Sequence, residues 1–600
     1  MLDNKLLICY YVLSMNNRFA KYTIFPEIKK GHKYYYAGRT YRQKISSQDS
    51  GKTRGSGKSK VVCEKIYLGT AQDILSKLFD AKKSPREVSS KEYGLPMSVL
   101  KLAHKTGIMD IIDEILPYKV RGIKASEFII ISAISKLNGS ISKEKTGDYF
   151  STTVLPEVMG IKAVDLNSKT YWEMFEKIIS EKELKDRKRQ KEKQFNDKLS
   201  IEELEELIDD EKLERIEEKI WVNLLQKYHI LLDVLLYDGT NSFTYYQDHT
   251  INSYGQKGKN KKGRHNLRQI GLFMAVTGEG FPFMSQLACG NTHDARIFPT
   301  AMSKLIKRYH RLISEASKIK IAFDKGNNSQ KNIKLLSEHE YVGSLVPSSH
   351  PDLTSIGLDQ YSKSYKGFKV YEGVKEVYGA EHKIFMTYNE ALGIKQRNSF
   401  LKYKKKAKEL LQEEFNKHKK KEDMEERLKM VLHDNRILHS RACRYLDYEI
   451  KDDGIIIVEN KDEIAEKERV FGKNIIFTNN LEAEYSGTIM TYKEKTKVED
   501  SFKTIKDHRI ISLHPIWHWT DSKIRIDAFI SVLAYLLIKL LQYLAKEDGL
   551  QMSVASLITA LQGIREVFMV YADNTAERKL EELPLLQKQL LHKFGIFDTA

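Results

Sequence analysis

His229-Ile230-Leu231-Leu232-Asp233-Val234-Leu235-Leu236-Tyr237, closed by Asp238-Gly239, decides how this chain is read. The run is short and mostly apolar, and Asp-Gly is a turn signal, so it predicts a buried strand that ends at an acid. The same design returns 86 residues later, where Ile319-Lys320-Ile321-Ala322-Phe323 is followed by Asp324-Lys325-Gly326. Between the two, apolar runs at 269–276 and 281–288 flank Thr277-Gly278-Glu279-Gly280, which predicts a hairpin, and 294–310 reads as a helix. The pattern then breaks for roughly 125 residues, too long for an ordinary connection, and resumes at Asn474-Ile475-Ile476-Phe477-Thr478. Strands, helices and this gap together predict an α/β core split by an inserted domain. A lone acid at a strand end is ordinarily a turn former or helix cap. Two of them, each held by a rigid scaffold yet facing solvent, become candidates for metal-binding carboxylates.

Across the whole chain, 600 residues exceed what one hydrophobic core organises, so several structural units are expected. At 41% hydrophobic and 30% charged, with 11 prolines, the composition excludes a disordered or collagenous chain. Lys plus Arg number 99 against 81 acids, a net +18 with a pI near 9.2, which favours a polyanionic partner such as nucleic acid. Cys9, Cys63, Cys289 and Cys443 lie far apart with no zinc-ligand spacing, which excludes disulfide scaffolds and zinc fingers. The longest mainly apolar run, 528–538, contains Ser531 and stops at Lys539, short of the roughly 20 residues of a bilayer span. It reads as a buried helix. Residues 6–13 follow Asp3 and precede no small-residue cleavage site, so they read as a strand rather than a signal-peptide core, and a cytoplasmic protein with no membrane partner is expected.

The expected organisation has seven parts. Residues 1–85 form a β-rich unit, with Lys33-Tyr34-Tyr35-Tyr36 in a strand and a Gly/Ser/Lys loop over 46–60. Residues 86–185 form a helical domain that is a candidate for DNA binding, and 186–224 are charged connecting helices in which Ser200-x-x-Glu203 has capping-box spacing. The core occupies 225–346 and 473–545, the inserted domain 347–472, and helices close the chain over 546–600.

The strongest chemical signal lies in Tyr492-Lys493-Glu494-Lys495-Thr496-Lys497-Val498-Glu499-Asp500-Ser501-Phe502-Lys503-Thr504-Ile505-Lys506, which predicts one helix. On an ideal helix Tyr492, Lys495, Glu499 and Lys506 fall within an arc of roughly 60°. Val498, Phe502 and Ile505 make an apolar stripe beside that arc, so burying the stripe leaves one acid among cations at the edge. A solvated Lys/Glu helix is the plainer reading, and the two preceding strand-end acids weigh against it.

Tyr492-x2-Lys495-x3-Glu499-x6-Lys506 resembles the Tyr, Arg, Glu, Lys signature of DDE transposases from bacterial insertion sequences, the long-chain subgroup of the IS-four-like superfamily. Lys495 stands where that signature has Arg, keeping the charge without the bidentate geometry. Tyr237-Asp238-Gly239-Thr240, Gly290-Asn291-Thr292-His293-Asp294 and Pro515-Ile516-Trp517-His518-Trp519 look like the family's surroundings, and the resemblance covers about residues 229–545. It implies an RNase H-like mixed-sheet catalytic core. It also implies that Asp238, Asp324 and Glu499 are the catalytic acids and hold two Mg²⁺ ions, for which Mn²⁺ substitutes, while Tyr492, Lys495 and Lys506 bind the DNA backbone. The implied activity is metal-dependent cleavage and strand transfer at insertion-sequence ends, on double-stranded DNA of the terminal repeats and the target. A homodimer or larger assembly would act in a bacterial cytoplasm, associated with the nucleoid when on DNA. The alternatives are a structure-specific nuclease and a DNA-binding protein with a disabled site. The basic loop Lys257, Lys259, Lys261, Lys262 and Arg264 is assigned no role, and His293 and Asp294 are read as turn and helix cap. Trp517 and Trp519 are read as buried beside the following helix rather than stacking on an extruded base.

Overall fold

The computed structural model describes residues 22–44, 59–82, 85–139, 141–195, 211–245, 252–258, 264, 266–314, 316–417, 421–433, 442–451, 454–571 and 574–596. The strand expected over 6–13, most of the 46–60 loop, Ser200 and Glu203, and Lys259, Lys261 and Lys262 lie outside these. Cys63, Cys289 and Cys443 form no disulfide with one another. No helix among the described residues is long and apolar enough to cross a membrane.

The chain divides into two compact units. The smaller contains a three-stranded antiparallel sheet, Thr23–Lys29, His32–Lys44 and Ser59–Gly69, in which Tyr34, Tyr35 and Tyr36 lie. It also takes a piece of the far end of the chain. Arg565–Tyr571 and Ala576–Leu580 form a hairpin that joins Pro85–Glu92 in a second three-stranded sheet. The tail beyond 545 is therefore not helical throughout. Arg565-Glu566-Val567-Phe568-Met569-Val570-Tyr571 is rich in β-branched and aromatic residues, and such a segment favours a pleated, half-buried surface over a helix.

The larger unit holds everything else. The expected helical region includes α1 (Gly94–Lys105), α2 (Ile108–Ile115), α3 (Ala125–Leu137) and α4 (Ser168–Ile178), with shorter helices at Thr146–Ser151 and Leu155–Met159. Next comes α5 (Glu211–Lys227), which is less solvated than its Lys/Glu content suggests. Leu213, Ile216, Ile220, Trp221 and Leu224 are buried, and the Trp221 indole N–H donates to the Pro282 carbonyl at 3.1 Å.

The central sheet is built from β1 (Leu235–Thr244), β2 (Arg268–Thr277), β3 (Pro282–Cys289), β4 (Lys320–Phe323), β5 (Glu340–Leu345), β6 (Lys363–Tyr365), β7 (Phe368–Val377), β8 (Ala380–Tyr388) and β9 (Lys473–Thr478). A two-residue strand, Gln256–Lys257, pairs with β2 as the tenth. The order is 3-2-1-4-5-9-8-7-6; β1, β4 and β5 run parallel and every other pair is antiparallel. The hairpin between β2 and β3 turns at Thr277 to Gly280, where Gly280 takes φ +87°. A helix, α6 (Asp294–Leu312), leads from β3 toward β4.

The expected insertion splits in two. Residues 363–388 extend the main sheet, because Ile384, Phe385 and Met386 are buried against Phe477, Ile476 and Ile475 of β9. The stretch from 390 to 471 has its own core: α7 (Glu390–Lys417) and α8 (Lys421–His433) enclose Ala407, Leu411 and Leu428 and pack with the hairpin Leu446–Lys451/Gly454–Glu459, and Ile464 and Phe471 close it. Past β9 come α9 (Tyr485–Glu494), α10 (Thr496–Lys506) and α11 (Asp521–Glu547). The last is buried on almost every side because α1, α3 and α4 pack on it from one direction and β3 from another, which is what an all-round apolar helix requires.

Candidate active site on two neighbouring aspartates

Asp238 does not end its strand. β1 runs on through Asp238-Gly239 to Thr244, paired with β2 throughout, and Gly239 lies opposite Phe273. A Cβ on Gly239 would sit 2.2 Å from the Phe273 ring, so glycine is there for close packing rather than for a turn. Side chains alternate along a strand. Tyr237 packs on Phe273 and on Phe298 of α6, and Asp238 and Thr240 therefore face the opposite side, where α10 lies.

Asp324 follows the last residue of β4, and Phe323 is in register with Tyr237. The two acids are thus successive neighbours on adjacent parallel strands, whose backbones are about 4.8 Å apart. Like charges so placed repel unless compensated. Lys495 compensates them: its ammonium lies 3.1 Å from Asp324 Oδ1, with a side chain only 10% exposed. Burial acting alone would raise the Asp324 carboxyl, but the Lys495 charge reverses this and holds it below the ordinary carboxylate range. Burial would likewise push the Lys495 ammonium down, and Tyr492, Asp324 and Asp238 outweigh it and raise it. Tyr492, whose hydroxyl burial pushes up, donates to Ser344 Oγ on β5 at 2.7 Å and lies 3.4 Å from Asp324 Oδ1. Asp238 Oδ1 accepts the Gly239 N–H at 2.8 Å.

The predicted single helix is broken at Lys495. There the hydrogen bonds shorten to three-residue steps, Lys495 N–H to the Tyr492 carbonyl and Val498 N–H to the Lys495 carbonyl. α9 therefore carries Tyr492 over β4, β5 and β9, while α10 crosses β1 and β2. Val498, Phe502 and Ile505 are buried as the stripe required. Lys506 reaches the Thr240 hydroxyl at 2.6 Å and the Asn241 carbonyl at 2.5 Å. Glu499, seven residues earlier and so on the same face as Lys506, is exposed.

The structure thus brings Asp238, Asp324, Tyr492 and Lys495 together, bonds Lys506 to the strand that carries Asp238, and leaves Glu499 exposed. Among the described residues no three His, Cys, Asp or Glu side chains are close enough to share a metal ion. The aspartate pair by itself suits Mg²⁺, which takes one or two carboxylates and fills the rest of its shell with water and substrate oxygens. Asp294 starts α6 as expected, and its carboxylate lies beside Gly326, two residues past Asp324. Ser344, which fixes Tyr492, had no signal in the sequence, since an isolated serine in a buried strand reads as packing. Trp517 and Trp519, expected under the following helix, are 73% and 58% exposed. They belong to an irregular segment after α10, and Trp519 lies instead on Trp172 of α4.

No protein-family model matches the chain, and no curated protein matches it in sequence.

Proposed function

We propose that the chain is a DDE-type DNA transposase that binds the ends of its own element, cuts them with a divalent metal and joins the 3′ ends to target DNA. The observation that carries this reading is the pair Asp238 and Asp324, side by side on parallel strands under Lys495 and Tyr492. The order 3-2-1-4-5, antiparallel through the first three strands and parallel through β1, β4 and β5, supports an RNase H-like core as the scaffold, widened on one edge by β6 to β9.

Asp238 and Asp324 would hold the metal, with Glu499 as the third acid. When bound, the metal supplies activation of the attacking oxygen and stabilisation of the leaving one. The chain's own groups do the positioning. Lys495 neutralises the aspartates and, with Tyr492, offers donors beside them. Lys506, steadied by Thr240 and the Asn241 carbonyl, places a charge farther along β1. Such contacts set the register of a phosphate backbone without reading its sequence.

The exposure of Glu499 favours a second reading, a DNA-binding protein that does not cut. One experiment separates them: incubate the full chain with fragments bearing candidate element ends and a target plasmid, with and without Mg²⁺. Metal-dependent cleavage and joined products are expected. Cleavage without joining selects a nuclease, and binding without cleavage in either Mg²⁺ or Mn²⁺ selects the non-cutting protein.

A further inference from the structure

A second site opens away from the aspartates, a cavity of about 490 Å³ lined by α3, α4, the segment after α10 and the start of α11. Lys136 Nζ lies 2.9 Å from Asp527 Oδ1, and His518 Nε2 lies 3.6 Å from the same oxygen. With Nε2–H turned to that carboxylate, His518 presents Nδ1 as an acceptor, and the Lys143 ammonium lies 3.2 Å from it. Lys143 therefore bonds a neutral ring rather than a carboxylate. Burial pushes its ammonium down to about 8, so the pocket holds a cation whose charge is poorly compensated.

Beside this cation stands an aromatic platform. Trp172 and Trp519 lie 5.8 Å apart between ring centroids, tilted by 36°, and Lys143 and Lys523 sit 5.9 and 4.9 Å from the Trp172 ring. Lys523 is balanced by Glu176, as Lys136 is by Asp527. Packing does not account for Trp519, which keeps most of its indole in water. A flat apolar surface next to a spare ammonium matches a base and its phosphate.

The cavity is also tied to the aspartates through β1. The Phe243 N–H donates to Nδ1 of His514, a cavity residue, at 3.3 Å, and the Phe243 carbonyl accepts the Ile516 N–H at 3.2 Å. Five strand residues from Asp238 to Phe243 span about 17 Å. Stacked DNA covers that distance in about five nucleotides at 3.4 Å each. Lys506, bound at Thr240 and Asn241, stands between the two ends of this track.

We propose that the cavity takes the phosphate of one nucleotide of the bound DNA strand on Lys143, about five nucleotides from the scissile phosphate, while its base lies outside the cavity on Trp519 of the neighbouring platform. This rests on the reading of DNA as the substrate.

Tryptophan emission tests it. Of the four tryptophans in the chain, Trp517 lines the cavity, Trp172 and Trp519 form the platform beside it, and Trp221 is fully buried elsewhere. The full chain is titrated without divalent metal with a dye-labelled single-stranded oligodeoxynucleotide, whose anisotropy reports binding independently. Emission is expected to quench in step with anisotropy. Trp519→Leu should weaken binding about 5-fold or more and remove most of the quench, while Trp519→Phe, which keeps a stacking ring, should restore affinity. Lys143→Met should reduce the slope of log affinity against log salt by about 0.7. Binding with unchanged emission, or variants that bind like the wild type, overturns the pocket and leaves the DNA reading standing. Quenching by deoxyadenosine monophosphate or inorganic phosphate as tight as by the oligonucleotide overturns it too, in favour of a small-ligand site. If no DNA of any form raises the anisotropy, the DNA reading itself fails.

Discussion

Replacing Lys495 with methionine removes the ammonium that lies 3.1 Å from Asp324 and keeps the bulk of the side chain. Two unit charges at that distance attract by about 5 kcal/mol at an effective dielectric near 20. The carboxylate is one-third exposed, so solvent screening and the cost of desolvating both groups cancel much of this, and a net loss of about 2 kcal/mol is expected at pH 7. The pH dependence carries the sharper test. In the wild type the Asp324 carboxyl is held below its ordinary value, so its contribution is fully present above the unfolded value near 3.9 and is lost as pH falls through the folded one. Without Lys495, burial and Asp238 raise that carboxyl. The folded state then binds more protons than the unfolded state, and acidification stabilises it. The deficit of Lys495→Met should therefore be largest at pH 7.5 and shrink by pH 5. Urea unfolding in the presence of a chelator, followed by tryptophan emission, reads this in the right place, because all four tryptophans lie in the larger unit. Asp324→Asn and the double variant complete the cycle, and the double should cost at least about 1 kcal/mol less than the sum of the singles. Costs that add to within about 0.5 kcal/mol at both pH values would refute the pairing.

The remaining expectations rest on single contacts. Asp238→Asn, Asp324→Asn and Glu499→Gln should each lower metal-dependent cleavage by more than about 100-fold, beyond the usual cost of losing an outer-shell partner, and spare DNA binding measured by anisotropy. Cleavage by all three at the wild-type rate would remove the site. Gly239→Ala puts a methyl into the Phe273 ring and should cost about 1–3 kcal/mol in urea unfolding, with part recovered by adding Phe273→Leu. A second substitution that recovers nothing would mean that the ring is not the obstacle. Lys506→Ala should lower the salt slope of duplex binding by about 0.9, and an unchanged slope would take Lys506 off the backbone.

Much of the core was legible because its strands are buried on both faces and so read as short apolar runs. β4, β9 and the hairpin of β2 and β3 stand within a residue or two of where hydrophobicity and turn residues put them. β1 does not. Asp-Gly is a local turn signal, and ten paired residues on β2, together with a phenylalanine that needs the space over Gly239, outweigh it. The insertion was misdivided for a related reason. Ile384, Phe385 and Met386 look like any short strand, and only pairing with β9, about ninety residues later, makes them part of the main sheet.

The four-residue face of the signature helix shows how side chains can be picked out in sequence and still be wrongly grouped. Counting 100° per residue from Tyr492 to Lys506 assumes one straight rod. That assumption fails at Lys495, where the three-residue hydrogen bonds lie and where the ammonium is drawn onto Asp324. No periodicity within 492–506 encodes this, because the attracting charge sits on another strand, 171 residues earlier. The break turns one arc into two pairs. Tyr492 and Lys495 go to Asp324 and Ser344, and Lys506 goes to Thr240 and Asn241 with Glu499 on its face. Glu499 keeps its side chain in solvent, while Lys506 on the same face is bonded to β1. Spacing could identify Glu499 as a candidate, but only the structure could reveal that its side chain stands exposed while Lys495 is drawn onto Asp324 and Lys506 onto β1.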